Sequence, residues 1–145
     1  MESSTKDDYV DWLSRYEWNW ACTLNLRYGI RRKSAHRLWR EWITRIEEIE
    51  GHRLSWVRMA EVGEIAGRLH FQAAVAGVRY TTPSAAASLW LAGDARVDVV
   101  HSTGWLEYML KEMEYNDDYD FDFELLNQHL LSCFRQPWME ERCGS

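Results

Sequence analysis

The amino-acid sequence predicts an α+β fold, with a central antiparallel β-sheet and flanking helices. Some segments alternate apolar and polar residues, as half-buried strands do, and others have apolar residues at helical spacing. The two kinds of segment follow each other along the chain. The chain has 145 residues, 46% of them hydrophobic and 28% charged, which suits one globular domain rather than two. We therefore expect residues 1–145 to form a single domain. Within it, residues 1–16 would be an N-terminal extension, and residues 114–145 an acidic loop and a C-terminal helix.

The first half of the chain is predicted to form a helix, a strand and a second helix. Residues 5–15 have apolar side chains at helical spacing, and Thr5 is the expected N-cap. Residues 17–27 alternate, which predicts a half-buried strand. One side of this strand carries Trp18, Trp20, Cys22, Leu24 and Leu26. A basic loop follows, and Ser34 is the expected N-cap of a helix that ends near Gly51.

The second half is predicted to form three strands and three helices. The expected elements are a hairpin over 53–62 and 68–78, a helix over 83–91, a strand over 95–100, and helices over 104–114 and 123–134. Gly63 and Gly67 supply the tight hairpin connection, Pro83 suits a first helical turn, and Pro137 ends the last helix. From its first strand the order is β-α-β-β-α-β-α-α. This order favours a split β-α-β, or RRM-like, arrangement with the helices on one face of the sheet.

The charge of the chain is unevenly distributed. The net charge is −6, but residues 112–124 hold seven acids and no base, and the rest of the chain has 16 acids and 17 bases. Between Asn25 and Arg58 the sequence contains nine basic residues and four glutamates. A molecule with this polarity can bind a polyanion on one face while another face repels it. A solvated helix face next to an acidic loop would give the same composition.

The cysteine and hydropathy patterns indicate an intracellular protein. Cys22, Cys133 and Cys143 are odd in number and irregularly spaced, which excludes a disulfide framework and a cysteine-based zinc site. No apolar run approaches the roughly 20 residues that cross a bilayer, and residues 1–8 are polar. We therefore expect reduced thiols, a cytoplasmic location and no membrane partner.

The strand predicted over 68–78 presents a polar face that suits a metal ion. Its odd-numbered residues up to position 75 are apolar and belong to the core, whereas His70 and Gln72 lie on the opposite side, where both can reach one cation. Glu61 of the preceding strand pairs with His70 if the turn centres near residues 65–66. One carboxylate, one imidazole and one amide oxygen suit Mg²⁺ or Mn²⁺ better than structural zinc. Without a metal, these residues are simply the polar face of a strand.

The helix predicted over 104–114 carries a tyrosine and a lysine outside its apolar stripe. The stripe consists of Leu106, Met109, Leu110 and Met113. Tyr108 and Lys111 lie on the far side, one turn apart, which brings an ammonium group beside a phenol or beside a phosphate that the phenol attacks. An amphipathic tyrosine at the rim of the core is the plainer alternative.

Three short motifs in these segments resemble those of a known family. They are Thr23-Leu24-Asn25, then Gly67-Arg68-Leu69-His70-Phe71-Gln72, then Tyr108-Met109-Leu110-Lys111. In order, spacing and structural context they are similar to the three motifs of HUH endonucleases, and in particular of replication-initiator (Rep) nicking domains with a single tyrosine. The resemblance extends from the first strand to the helix that carries Tyr108, and the family has the fold predicted above.

The resemblance implies a set of metal ligands. His70 matches the first metal-binding histidine of the family, and Gln72 stands where many members have the second. This His-hydrophobic-Gln variant is familiar among the Rep proteins of circular single-stranded DNA viruses. Glu61 resembles the upstream acidic ligand, and Glu64 in the turn is its rival. The implied cofactor is Mg²⁺ or Mn²⁺.

The resemblance also implies an activity. Tyr108 matches the nucleophile, Lys111 matches the lysine of the Tyr-x-x-Lys motif, and the segment from Thr23 to Asn25 matches a motif linked to DNA binding. The implied reaction is the metal-dependent nicking and rejoining of single-stranded DNA, at an origin or hairpin, through a covalent 5′-phosphotyrosine. Such a reaction starts rolling-circle replication of a plasmid, phage or virus.

Basic residues after the first strand are the expected phosphate contacts. Arg27, Arg31, Arg32 and Lys33 leave this strand beside the proposed site, and binding through them would depend steeply on salt. Nine tryptophans and seven tyrosines provide core volume, and those on an open sheet face would stack with bases.

The sequence departs from the family pattern at three points. Ala73, Ala74 and Ala76 are small, whereas the family often has bulky polar residues around its histidine pair. Tyr108 and Tyr115 are seven residues apart, not four as in two-tyrosine members, so we expect one nucleophile. The sequence has no Gly-Lys-Ser or Gly-Lys-Thr loop, so duplex unwinding would require a separate host helicase.

Three other functions fit parts of the pattern. A non-catalytic, RRM-like protein that binds single-stranded nucleic acid would need the fold and the basic loop, but no convergence of the predicted metal ligands with Tyr108. A single-tyrosine transposase would use the same chemistry for strand transfer. A protein-interaction domain would use the acidic residues 112–124 and the helix predicted over 123–134, for example as the contact of a homodimer.

Overall fold

A five-stranded antiparallel sheet with flanking helices dominates the described part of the chain. The computed structural model describes residues 5–62, 68–102, 104–111, 113 and 120–131. Its elements are α1 (Thr5–Leu13), β1 (Trp18–Asn25), α2 (Arg32–Glu50), β2 (Ser55–Val62), β3 (Leu69–Ala76), α3 (Pro83–Ser88), β4 (Ala95–Val99), α4 (Gly104–Met109), β5 (Asp120–Glu124) and a 3₁₀ turn (Asn127–His129). The strand order is β4-β1-β3-β2-β5, and every neighbouring pair is antiparallel. The predicted α+β fold with an antiparallel sheet is confirmed.

The long helix α2 covers one face of the sheet. The side chains that it buries there are Ala35, Trp39, Trp42, Ile43 and Ile46. The helix ends where the sequence predicts, because Gly51 adopts a left-handed conformation (φ 77°) and donates its N–H to the Glu47 carbonyl. The indole Nε1 of Trp42 donates to the Ala86 carbonyl, which ties α3 to the same side.

The start of α2 differs from the prediction. Arg31 is the N-cap residue and makes no side-chain cap hydrogen bond, so Ser34 lies inside the first turn and the prediction of Ser34 as N-cap was wrong. The buried Ala35 packs on the sheet, and its N–H already donates to the Arg31 carbonyl at 2.9 Å. Packing of the first turn therefore favours an N-cap three residues before the serine.

Helices α1 and α4 cover the opposite face of the sheet. Leu13 of α1 and Leu106 and Met109 of α4 are buried in one cluster with Val57 of β2 and Ala74 of β3. The prediction that all helices lie on one face was wrong. Strand β2 is buried along almost its whole length, and such a strand accepts helices on both sides.

The first strand contains an irregularity that sequence alternation hides. The register of β1 against β3 shifts between Trp18 and Trp20. Trp20 packs under α2, whereas Trp18 joins the α1 and α4 cluster and donates its indole N–H to the Leu13 carbonyl at 2.7 Å. The prediction that Trp18 shares a side with Trp20 was wrong, because an extra residue in one strand reverses the facing of the residues before it.

Strand β5 replaces elements that were predicted as a loop and a helix. Its five residues alternate acid and phenylalanine, and the strand pairs with β2 from Trp56 to Ala60. Phe121 contacts Tyr9, and Phe123 contacts Trp12 of α1, edge to face. The helix predicted over 123–134 was wrong for its described residues, because the period of two and the α1 contacts favour a strand. Positions 132–134 and most of 112–119 lie outside the described residues.

The structure bears on two of the predictions about the cell environment, the absence of a membrane-spanning segment and the reduced thiols. No helix within the described ranges has the length and apolar composition needed to cross a membrane. Cys22 is a buried free thiol whose pKa is raised, first by burial and then by the negative charge of Asp98. Cys133 and Cys143 lie outside the described residues.

Candidate active site

One row of polar residues crosses the end of the sheet on the side of α4. Glu61 of β2 pairs with His70 of β3, and His70 pairs with Asn25 of β1. The predicted pairing of Glu61 with His70 is confirmed. Directly paired residues of an antiparallel sheet point to the same face, so these three side chains are neighbours.

Glu61 is the centre of this row. Its Oε2 accepts a hydrogen bond from His70 Nε2 at 2.8 Å, and both carboxylate oxygens lie 3.4 Å from the Nζ of Lys111. Only 7% of Glu61 is exposed. Burial opposes its ionisation, but the His70 hydrogen bond and the positive charge of Lys111 outweigh burial and lower the pKa of the carboxyl. Glu61 is therefore a carboxylate, and its negative charge faces His70 and Lys111.

The next row places an amide beside a hydroxyl. Gln72 pairs with Thr23 of β1, and Thr23 Oγ1 donates to Gln72 Oε1 at 3.2 Å. Gln72 lies two residues after His70 on β3, so the two side chains are on the same face. Because the Thr23 hydroxyl donates this hydrogen bond, the amide oxygen of Gln72, rather than its nitrogen, faces Thr23.

Helix α4 brings Tyr108 to the same face. Leu106 and Met109 anchor the helix in the core, which leaves Tyr108 60% exposed. The α-helix ends at Met109 rather than at the predicted position 114, and a turn follows in which the Lys111 N–H donates to the Tyr108 carbonyl. This turn brings Lys111 Nζ to 4.0 Å from the centre of the Tyr108 ring.

A cavity of about 360 Å³ lies between α4 and the sheet. Tyr108 lines it from the helix, and Thr23 and Gln72 line it from the strands. Lys111 connects the two parts of the site, because its ammonium contacts both the Tyr108 ring and the Glu61 carboxylate. Thr23, Gln72 and Tyr108 thus meet around one cavity. Glu61 and His70 do not line it, and the structure joins them to Tyr108 through Lys111.

Known proteins give no further guidance. Comparisons with protein-family models, curated proteins and solved structures find no match. The chemistry of the site must therefore follow from its own residues.

The predicted metal ligands have a donor set that fits a hard divalent cation. Within the described ranges no three His, Cys, Asp or Glu side chains converge, so the third donor would be the amide oxygen of Gln72. Around an octahedral cation with ligands at about 2.1 Å, neighbouring ligand atoms lie roughly 3 Å apart. The 2.8 Å between His70 Nε2 and Glu61 Oε2 is the length of the hydrogen bond that joins them, so His70 would have to lose the Nε2 proton in order to bind a cation through this atom. The rival ligand Glu64 lies outside the described residues.

The predicted DNA-binding residues differ in their surroundings. The loop after β1 leaves the sheet at the Asn25 end, next to His70. Arg27 donates from Nη1 to the Leu91 carbonyl at 2.8 Å, and Arg31 and Lys33 are exposed. Arg32 forms an ion pair with Asp120 on the α2 side, so its side chain is engaged on the face of the sheet opposite Tyr108 and Gln72.

Sequence reasoning missed one pair of charged residues at the cavity. Arg96 and Asp98 of β4 line it opposite Tyr108. In the sheet Arg96 pairs with Thr23, and Asp98 pairs with Ala21. The alternation of residues 95–99 places both charges on one side of the strand, but their position beside the site depends on β4 pairing with β1.

Proposed function

We propose that this protein is a metal-dependent endonuclease of the HUH type, which nicks and rejoins single-stranded DNA through a covalent link to Tyr108. One observation carries the proposal. The exposed phenol of Tyr108 and the amide of Gln72 line the same cavity, and Lys111 spans the distance from the phenol ring to the Glu61–His70 pair. A nucleophile, a cation and a donor set for a divalent metal on one side of a sheet suit attack on a phosphodiester.

Each group has a distinct task in this reaction. A phenol is a weak nucleophile at neutral pH, and a phosphodiester is an anion that repels attacking oxygens. A divalent cation held by Glu61, His70 and Gln72 would neutralise charge on the non-bridging phosphate oxygens. Lys111, whose ammonium lies 4.0 Å from the centre of the Tyr108 ring, would stabilise the negative charge that develops at phosphorus.

The reaction exchanges one phosphoester for another. The Tyr108 Oη–P bond forms as the P–O3′ bond breaks, and the proton of the phenol ends on the released 3′-hydroxyl. The products are a 5′-phosphotyrosine and a free 3′-OH. Since the numbers of ester bonds are equal before and after, the step needs no ATP and runs in reverse when a 3′-OH attacks the adduct. The same site therefore cuts and rejoins.

The topology is consistent with this family. Strands β4-β1-β3-β2 with α2 and α3 form a β-α-β-β-α-β unit, the split β-α-β arrangement expected for HUH and RRM-like domains. We place single-stranded DNA at an origin or hairpin as the substrate, Mg²⁺ or Mn²⁺ as the cofactor, and the start of rolling-circle replication as the biological role. Transposase-like strand transfer would use the same chemistry.

The non-catalytic alternative is less well supported. RRM-like proteins stack bases on aromatic side chains of an exposed sheet face. In strands β1 to β3 the aromatic residues Trp18, Trp20, Trp56 and Phe71 are buried, and helices cover both faces, whereas Phe123 of the edge strand β5 is 45% exposed. Open-face stacking, which the sequence suggested, is therefore unavailable to these four side chains.

A denaturing gel tests the proposal. Fluorescent single-stranded oligonucleotides are incubated with the protein and Mn²⁺, and a band of covalent protein–DNA adduct is expected. Tyr108→Phe should abolish the adduct, and Tyr80→Phe, a change at a tyrosine that is 70% exposed, should leave it intact. An adduct that persists in Tyr108→Phe, or cleavage that continues in excess chelator, would contradict the assignment.

A further inference from the structure

The edge strand β4 forms the outer wall of the cavity that Tyr108 lines. Gln72 of β3, Thr23 of β1 and Arg96 of β4 form one row across three neighbouring strands. With neighbouring strands about 4.8 Å apart, the row extends the floor of the cavity by about 10 Å from Gln72 to the strand edge. Arg96 is thus at the exit of the cavity, on the face where the proposed reaction takes place.

Arg96 is held in place by its neighbour on the same strand. Its Nε donates to Asp98 Oδ2 at 2.8 Å, although both side chains are largely exposed, 80% for Arg96 and 56% for Asp98. A guanidinium has five N–H donors in a planar fork, and this bond engages one of them. The end-on edge of the guanidinium, which the two Nη atoms form, takes no part in this bond and has two parallel N–H groups that can donate to one phosphate.

The cavity, whose charged lining residues Arg96 and Asp98 are neutral in sum, offers an anionic occupant N–H donors at two places, a guanidinium on β4 and an indole on α4. Among the described residues that line the cavity, Arg96 is the one cation, and the other charged residue is Asp98, which holds it. Trp105 also lines the cavity, and its indole Nε1 is buried without a hydrogen-bond partner in the described part of the chain. A buried N–H without an acceptor is costly, and the oxygen atoms of a bound strand are acceptors of the kind that it lacks.

We propose that Arg96, positioned by Asp98, binds the phosphate next to the scissile phosphate and so guides the strand across the cavity. This inference rests on the proposed function, because it takes the occupant to be single-stranded DNA. It adds a second phosphate subsite at the edge of β4, separate from the metal ligands and from the basic loop after β1.

Binding in the absence of cleavage tests the subsite. Fluorescence anisotropy is measured with labelled single-stranded oligonucleotides of mixed sequence and of dT20, in chelator and in the Tyr108→Phe background. Arg96→Ala should weaken binding about tenfold and reduce the slope of log Kd against log salt by about 0.7, the value for one phosphate of a single strand. Arg37→Ala, which removes an exposed arginine on the α2 side, is the matched control and should change neither quantity.

The direction in which the DNA affinity changes tests the role of Asp98. Simple electrostatics predicts that removing a negative charge tightens DNA binding. Positioning predicts that Asp98→Ala weakens it, because Arg96 loses its partner, and that Asp98→Asn, which keeps an acceptor oxygen, binds at least as well as the starting protein. Tighter binding by Asp98→Ala would overturn the positioning role.

The subsite and the nuclease fail in different ways. An unchanged affinity and salt slope in Arg96→Ala, an equal change in Arg37→Ala, or no binding of single strands by the starting protein would overturn the subsite. Absence of the covalent adduct in the gel assay, together with a reduced slope in Arg96→Ala, would overturn the nuclease and leave the phosphate subsite standing.

Discussion

The two faces of the sheet each carry a histidine bonded to a carboxylate, in very different settings. On the α4 face His70 bonds Glu61, and the ammonium of Lys111 contacts both the Glu61 carboxylate and the Tyr108 ring. On the α2 face His36 bonds Asp120 at 3.0 Å, and Arg32 pairs with the same carboxylate. The first pair lies beside an exposed tyrosine, whereas the second joins β5 to α2.

Arg58 shows why the α2 face is structural. Its side chain is 1% exposed and lies 5.0–5.9 Å from the ring centres of Trp39, Trp56 and Phe71. Its Nη2 reaches Asp122 at 3.3 Å, so a carboxylate of the edge strand compensates a charge that the core encloses. Burial lowers the pKa of Arg58, and the acids of β5 oppose that change. Solvent access does not separate the two pairs, because the side chains of Glu61 and His70 (6% and 21% exposed) are less accessible than those of Asp120 and His36 (19% and 37%). They differ in what lies next to them, which is Lys111 and through it Tyr108 on the α4 face, and Arg32 of α2 on the other.

Alanine variants of His70 and His36 should show the largest difference in cleavage rate between the two faces. His70→Ala should reduce metal-dependent cleavage by about 100-fold or more, because loss of even an outer-sphere partner of a metal costs roughly 10–100-fold. His36→Ala should leave the cleavage rate per folded molecule unchanged. The measurement is the initial rate of oligonucleotide nicking against Mn²⁺ concentration. Equal losses in the two variants would remove the distinction between the faces.

A second prediction concerns stability. Arg58→Ala leaves the β5 carboxylates without their buried partner and should lower the free energy of unfolding by about 3–5 kcal/mol. Arg40→Ala removes an exposed arginine 3.7 Å from the same Asp122 carboxylate and should cost less than about 1 kcal/mol. Urea unfolding followed by tryptophan fluorescence measures both. A variant at Arg58 as stable as the starting protein would show that the cluster does not hold β5.

The two histidine-bonded carboxylates predict how stability depends on pH. Burial opposes ionisation of Asp120, but hydrogen bonds from Arg32 and His36 outweigh burial and lower its pKa, as happens at Glu61. A carboxyl with a lowered folded-state pKa contributes stability above its unfolded pKa of about 4, and this contribution is lost as pH falls through the folded value. Stability should therefore decline from about pH 5 towards about pH 2, and less steeply in Asp120→Asn. Equal slopes in the two proteins would show that protonation of Asp120 does not contribute to the decline.

The smallest expected effect is at Thr23. Thr23→Val removes the hydroxyl that donates to the Gln72 amide. It should raise the activation free energy of cleavage by about 1 kcal/mol, which lowers the rate about fivefold. Thr23→Ser keeps the hydroxyl and should restore the rate. If the valine and serine variants have the same rate, the hydrogen bond does not orient Gln72.

Local patterns were sufficient to place the residues at the centre of the candidate site. The alternation from Leu69 to Ala76 and a symmetric turn were enough to pair Glu61 with His70, because the register of a hairpin follows from its connection. The helical period separated Tyr108 from the buried Leu106 and Met109. These inferences need only residues close in sequence, or one hairpin.

Features that depend on distant contacts were not predictable in this way. Arg96 reaches the cavity because β4 lies beside β1, a pairing of residues about 70 positions apart. The edge strand β5 is short and acidic, so its alternation was hidden within a charge run. In the sequence, Ala74 belongs to the polar face of its strand. Only the packing of α4 on the sheet shows that it lies in the core.

Mass spectrometry of the covalent adduct identifies the nucleophile on which the proposed activity depends. The protein is incubated with a single-stranded oligonucleotide and Mn²⁺, digested with nuclease and protease, and searched for a peptide that carries a residual 5′-nucleotide. We expect the nucleotide to be attached to Tyr108. Attachment at another residue, or cleavage that leaves no protein-linked nucleotide, would refute the phosphotyrosine mechanism.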